Sequence, residues 1–223
     1  MLLDNAEDKI SNYNNYCLHY NLTADSIYEY REKIDPFSNT YEKYIIAALI
    51  SFDMGRMMGR GLRQKYETKS NGFARRLHDK LLLIEPLLSK MIKINLFEVD
   101  LNNKNTRDNI ISSYNLLAVA SKNSLSAAKK EFHVGSTKIL HFLNPDLFMI
   151  IDANVATALR TECSIPFRNT TQPGYSSDLY LRSLSHIKDL IQNYGAENFQ
   201  SLESGTPLMR IMDKIAFSHA GKL

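Results

Sequence analysis

The chain has 223 residues, 44% hydrophobic and 23% charged, with a formal net charge of +3. That composition supports a buried core and argues against disorder, and so small a net charge assigns no partner by itself. Two distant cysteines, Cys17 and Cys163, point to neither a disulfide framework nor a zinc site and fit a reduced, cytoplasmic setting. The acidic start of the chain lacks the long apolar stretch of a secretory signal, and no apolar run approaches the length of a membrane span.

Charge is unevenly spread. Residues 1–43 hold eight acids and four bases, whereas Arg56–Lys80 holds eight bases and two acids. Such a basic stretch is what a phosphate-binding surface requires, although a solvated helix face carries the same pattern. Seven of the twelve tyrosines fall between Tyr13 and Tyr44. Aromatic rings beside asparagines can stack on exposed bases; half-buried packing with the hydroxyl at the surface is the commoner use.

Taken in order, residues 1–43 read as one or two helices interrupted at Asp35-Pro36. Residues 41–66 read as a helix on the spacing of Tyr44, Ile45, Ala48, Leu49, Phe52 and Met57. Gly55, Gly59 and Gly61 end it, which sets Arg56, Arg60 and Arg63 beside a groove or on a glycine-terminated helix end. Residues 70–94 are helical, kinked or divided at Pro86. Residues 96–105 are loop, and Thr106 caps a helix to about Ala120. A short helix follows from Ser124 to Phe132, then one capped by Ser136 that Asn144-Pro145 terminates after Leu143. Asp152 or Ala153 opens a helix to about Thr161. After a polar loop over 163–178, Tyr180, Leu184, Ile187, Ile191 and Tyr194 mark an amphipathic helix. Thr206-Pro207 caps the last one, carried by Leu208, Ile211, Met212 and Ile215. No alternating strand pattern appears, so the expectation is an all-α fold of some nine helices.

Two features carry chemistry. The turn Phe132-His133-Val134-Gly135-Ser136 is short, and Gly135 permits a positive φ there. The free N–H groups at the start of the next helix would then take a phosphate, with Lys138 in its first turn. Downstream, the apolar run Phe148–Ile151 ends in a charged residue, Asp152. An aspartate at a helix start is commonly only an N-cap. His141 and Asp146 have no third ligand at useful spacing, so no metal and no cofactor are expected.

In this stretch the chain resembles the helix-hairpin-helix DNA glycosylases, the superfamily that includes the 8-oxoguanine glycosylases. There a glycine-containing hairpin leads into a helix, followed by a loop, a short apolar stretch and a catalytic Asp opening the next helix. His133-Val134-Gly135 is similar to the end of that hairpin, and Ile150-Ile151-Asp152-Ala153-Asn154-Val155 to the catalytic segment. The wording from Lys138 to Asp152, with the later Thr206-Pro207-Leu208-Met209-Arg210-Ile211-Met212-Asp213, is also similar to a bacterial branch with an 8-oxoguanine-glycosylase-like fold. The likeness is specific over roughly residues 110–160. Departures are a hairpin with one Gly and no Leu-Pro, Asn154 where the family has His, no iron–sulfur cysteines, and Lys138 only 14 positions before Asp152, closer than in bifunctional members.

The resemblance implies a two-lobed helical domain over 1–223, with lobes of roughly 1–105 plus the C-terminal helices, and 106–175. A flipped base would lie in the cleft between them. It implies a DNA glycosylase in which Asp152 stabilises the sugar cation or orients water, and Lys138 is the candidate amine for lyase chemistry. His133 and the backbone amides near Gly135, Ser136 and Thr137 would grip a phosphate, and Arg56 and Arg60 would contact backbone. The partner would be double-stranded DNA with a damaged or modified base, in repair or in defence against foreign DNA. A cytoplasmic monomer is expected. The alternatives are a non-catalytic DNA-binding protein using the hairpin for phosphate contacts, and an interaction protein whose basic face is merely solvated.

Overall fold

The computed structural model describes residues 1–52, 72–119, 125, 131–168 and 174–220. These residues form helices and no strands. The helices are α1 (Ala6–Tyr16), α2 (Leu18–Arg31), α3 (Asn39–Phe52), α4 (Phe73–Leu88), α5 (Lys104–Ala118), α6 (His133–Leu143), α7 (Ala153–Cys163), α8 (Ser177–Tyr194), α9 (Ala196–Ser201) and α10 (Leu208–His219). The all-α expectation holds. No described helix is long and apolar enough to cross a membrane. Most of the helix expected from Ser124 to Phe132, and the end of the one expected over 41–66, fall outside the described residues.

Several helix starts differ from the sequence reading, each for a local reason. The α5 cap is Asn103, not Thr106: the Thr106 N–H donates to Asn103 Oδ1 at 3.2 Å. Pro86 does not divide α4; it sits in the last turn. The carbonyl it deprives of a donor belongs to Leu82, an exposed residue whose backbone water can serve. Thr206 does not cap α10. Leu208 N–H instead donates to Asp146 Oδ1 at 3.0 Å and Met209 N–H to Pro145 O at 3.0 Å, so the capping groups come from a distant turn.

Two helices lie at the centre. Every residue of α6 from Ser136 to Leu143 is buried, as is every residue of α10 from Leu208 to Ala216. Such all-round burial is expected of a core helix. Helix α6 packs on α5, α3 and α2, and α10 packs on α1 and α7. Between α6 and α7 runs Leu147–Ile151, entirely buried and not helical. Its backbone groups therefore need partners from neighbouring side chains. Phe148 O accepts from His141 Nδ1 (2.6 Å), Met149 O from the Tyr180 hydroxyl (3.2 Å), and Ile151 N–H donates to Thr137 Oγ1 (3.1 Å). His141 is thus structural. Its Nε2 accepts from the Tyr28 hydroxyl at 2.5 Å, and burial pushes the imidazole down to about 3, so it stays neutral.

Asn144 closes the turn between these segments and is fully buried. Its amide donates to Met91 O (2.7 Å) and Ile94 O (2.8 Å), and its Oδ1 accepts from Asp146 N–H (3.1 Å) and Arg31 Nη2 (3.4 Å). Removing it takes the donor from the Met91 and Ile94 carbonyls, the first of them buried, and loosens the turn that caps α10. Asn144→Ala is expected to cost about 3 kcal/mol, since each unmatched buried group costs about 1–3 kcal/mol. A urea titration checks this; a loss below about 1 kcal/mol would show that the turn holds without the side chain.

Candidate active site

The N-terminus of α6 begins at His133, one turn earlier than the Ser136 cap expected from sequence. Ser136 N–H is already bonded to Phe132 O at 2.8 Å, and Phe132 N–H to Ala118 O at 2.7 Å. The orphan amides of this helix start are accordingly those of His133, Val134 and Gly135. The Ser136 amide, expected to grip a phosphate, is therefore engaged within the helix, and the hydroxyls of Ser136 and Thr137 are bonded to the turn behind them. Both are buried, with Ser136 Oγ donating to His133 O (2.6 Å) and Thr137 Oγ1 to Val134 O (2.9 Å).

Gly135 is needed for a different reason from the one expected. Its φ is not positive. A Cβ there would lie 2.0 Å from Cε1 of the Phe132 ring, so the glycine makes room for an aromatic side chain folded back over the helix start. His133 is half-buried and already engaged: Nδ1 meets the Tyr114 hydroxyl at 2.9 Å and Nε2 meets Glu131 Oε2 at 2.9 Å. An anion approaching these amides meets the Glu131 carboxylate, so that pair must open before His133 can bind phosphate. Arg56 and Arg60 lie outside the described residues.

Asp152 is the N-cap of α7. Its Oδ1 accepts from Asn154 N–H at 2.9 Å and Val155 N–H at 3.0 Å. Both cap bonds use one oxygen, which leaves Oδ2 outside the cap. The residue is half-buried. Lys138 is not an exposed helix lysine. Only 6% of it is exposed, and its Nζ lies 5.2 Å from the centre of the Phe52 ring.

A third element reaches the same place and was not anticipated. Helix α10 carries Arg210 and Asp213, both buried and ion-paired through Nη1 and Oδ2. Arg210 Nη2 also donates to the Tyr13 hydroxyl (3.1 Å) and to Asn21 Oδ1 (2.9 Å). Its guanidinium stands 4.8 Å from the Tyr13 ring centre and 6.0 Å from that of Phe52, the ring Lys138 faces. Burial pushes the Asp213 carboxyl up to about 6; Arg210 opposes this, Asp152 adds to it and Lys138 works against it. Lys138, Asp152 and the Arg210–Asp213 pair therefore share one electrostatic neighbourhood. Burial also works against the Arg210 charge, but Tyr13, Asp213 and Tyr28 more than offset it and keep the guanidinium ionised. Cys17 lies within reach of the same charges, and burial pushes its thiol up.

Open clefts lie elsewhere. One of about 740 Å³ is lined by Asp25, Glu29, Glu32 and Asp146 with Arg31 and the 204–207 turn, an acidic surface unsuited to phosphate. Among the described residues no three His, Cys, Asp or Glu side chains cluster as metal ligands. Comparison with protein-family models, curated proteins and solved structures finds no match to this chain.

Proposed function

We propose that the protein is a DNA glycosylase that extrudes a damaged or modified base and breaks its N-glycosidic bond. The observation that carries this is a carboxylate fixed at a helix start, Asp152, with an almost fully buried lysine, Lys138, in the helix that precedes it in the chain. A carboxylate held by backbone amides and an amine kept from water are the two groups this reaction uses. The two-lobed helix-hairpin-helix arrangement belongs to the same proposal, as does double-stranded DNA as partner.

The chemistry follows from the charges. A base inside a duplex is out of reach, so the nucleotide is rotated out of the stack. As the C1′–N bond breaks, its electron pair leaves with the base, which is protonated, and positive charge develops on the sugar. Asp152 is preorganised to stabilise that charge through Oδ2, or to orient a water that adds to C1′. In the second route Lys138 Nζ, deprotonated, bonds to C1′ in place of water; ring opening gives a Schiff base, and β-elimination then cuts the strand.

The test is incubation with duplexes bearing oxidised, alkylated, deaminated and naturally modified bases, read by abasic-site formation. Release from at least one is expected. No release from any would overturn the proposal, and salt-sensitive DNA retention alone would leave a binding protein. Borohydride trapping on the substrate found decides between the two routes: a covalent protein–DNA adduct assigns the lysine route, and its absence assigns water.

A further inference from the structure

Helices α2 and α3 lie side by side and antiparallel. Three contacts fix their register: the Tyr20 hydroxyl donates to Phe52 O (3.2 Å), the Thr23 and Ser51 hydroxyls meet at 2.7 Å, and the Tyr30 and Tyr44 rings stack at 4.2 Å. The inward faces join the core through Ile27, Ile45 and Leu49. The outward faces are less polar than a solvated helix pair needs to be. On α2 the exposed row Leu18, Leu22, Ser26, Tyr30 repeats every four residues, and both leucines are 60% exposed. On α3 Ala47 and Ile50 stand three apart, both exposed. Between the rows runs a groove of about 310 Å³, flanked by Leu22 and Tyr44, with no charged residue in its lining. Of the ten large apolar side chains exposed among the described residues, four lie on this face, and such a concentration marks a docking surface.

We propose that a second copy of this chain covers the face, related by a twofold axis parallel to α2 and α3, so that two helix pairs close into a four-helix bundle. The charge pattern selects this occupant. Asp25 and Glu29 also line the acidic cleft on the other side of α2, so they lie on its edge away from α3. Exposed Lys43 stands one turn before Ala47, on the edge of α3 away from α2. In the register above, Glu29 and Lys43 lie within about 3 Å of one height along the pair, as do Leu22 and Ile50. A twofold along the helices carries α2 of one copy over α3 of the other at that height. It sets Asp25 and Glu29 beside Lys43 of the other copy and Leu22 against its Ile50, each contact occurring twice. A twofold across the helices would lay α2 on α2 and its acidic edge on itself. Glu29 also meets Lys33 of its own chain at 2.6 Å, an exposed pair of little strength that a second cation can share. Each helix has 14 residues, so the pair offers a face about 20 Å on a side; side-chain relief brings its accessible surface to the order of the about 800 Å² per partner that stable interfaces bury. Nucleic acid is a poor occupant, because the groove has no cation and the α2 edge is acidic. The dimer is independent of the chemistry proposed above and replaces the monomer that the resemblance implies.

Sedimentation equilibrium tests this. The native chain is expected to sediment at twice its 25.5 kDa mass at about 0.5 mM and to dissociate on dilution. Leu22→Glu presses a carboxylate against Ile50 twice per dimer and should weaken association by about 100-fold or more. Lys43→Glu sets like charges beside Asp25 and Glu29 and should weaken it by about tenfold; adding Glu29→Lys restores opposite charges across the axis and recovers it. Leu22, Glu29 and Lys43 are exposed, so each variant is expected to fold, which far-ultraviolet circular dichroism checks. Should Leu22→Glu not fold, the charge reversal and its restoration decide. A native chain that stays monomeric at the highest concentration overturns the proposal and leaves the face to a different protein. A dimer that folded Leu22→Glu leaves intact, or that the double charge variant does not restore, overturns it equally.

Discussion

Asp152→Asn is expected to lower base release by about 10²–10³-fold while leaving stability within about 0.5 kcal/mol of the native protein. The two effects separate because the cap and the proposed chemistry call on different atoms of Asp152. The cap uses Oδ1, which accepts from Asn154 N–H and Val155 N–H. Asparagine keeps that acceptor and ranks with aspartate as an N-cap. It also relieves the repulsion that Asp152 exerts on Asp213, so the fold gains slightly where the cap loses slightly. What asparagine cannot supply is negative charge beneath a developing sugar cation. Asp152→Ala completes the comparison: it removes charge and cap together and is expected to cost about 1 kcal/mol as well as the activity. The measurements are single-turnover base release and a chemical denaturation curve on each variant. A native rate in Asp152→Asn would leave the residue as a cap and nothing more.

The sequence exposed the helices because their apolar spacing is local, and it exposed Asp152 because a charge after Phe148–Ile151 breaks an apolar run. Helix starts were less legible. The cap of α10 comes from Asp146, 62 positions earlier, and no local pattern announces such a bond. Gly135 pointed to a turn, yet its reason is the Phe132 ring, visible only once the side chain is placed. The Ser136 amide looked available at a helix start; with α6 beginning at His133 it bonds to Phe132 O instead. The tyrosine-rich N-terminal stretch resolves toward packing: Tyr13, Tyr28 and Tyr41 are buried with hydroxyls bonded to Arg210, His141 and Phe142 O.

Lys138 and α10 show the limit most clearly. A lysine expected in a first turn looks solvated until α6 proves to begin at His133 and to be buried on every side from Ser136 onward, which is a tertiary fact. The signal for Arg210 and Asp213 was present. They stand three apart in a helix whose neighbours are almost all apolar, so one ridge of charge had to be buried with the rest. What it met, an aromatic ring from α3 that a lysine of α6 also faces, follows only from how the helices pack.

Arg210→Met should be the most destabilising of these changes, by about 4 kcal/mol near neutral pH, because it leaves a buried carboxylate without its partner. The loss is more than one hydrogen bond. Tyr13 and Asn21 lose their shared donor, and the Tyr13 and Phe52 rings lose the cation packed against them. The dominant cost is nonetheless the Asp213 charge, and that gives the effect a pH signature. In the native fold burial already holds the Asp213 carboxyl at about 6 against an ordinary 3.8, with Arg210 opposing the rise. A carboxyl held above its ordinary value favours the fold when protonated, so its contribution is complete below the unfolded value and is lost as pH rises through the folded one. Without Arg210 the folded value climbs further. The deficit of Arg210→Met is therefore largest at about pH 8 and shrinks to about half or less near pH 5, where Asp213 takes up its proton instead of remaining charged. The double variant Arg210→Met, Asp213→Leu removes the stranded charge and should recover most of the loss, since apolar replacement of a buried pair is close to neutral. Urea titrations of the single and double variants at the two pH values check both statements. A deficit that ignores pH, or a double variant no better than the single, would locate the cost in packing around Tyr13 and Phe52 instead of in the Asp213 charge.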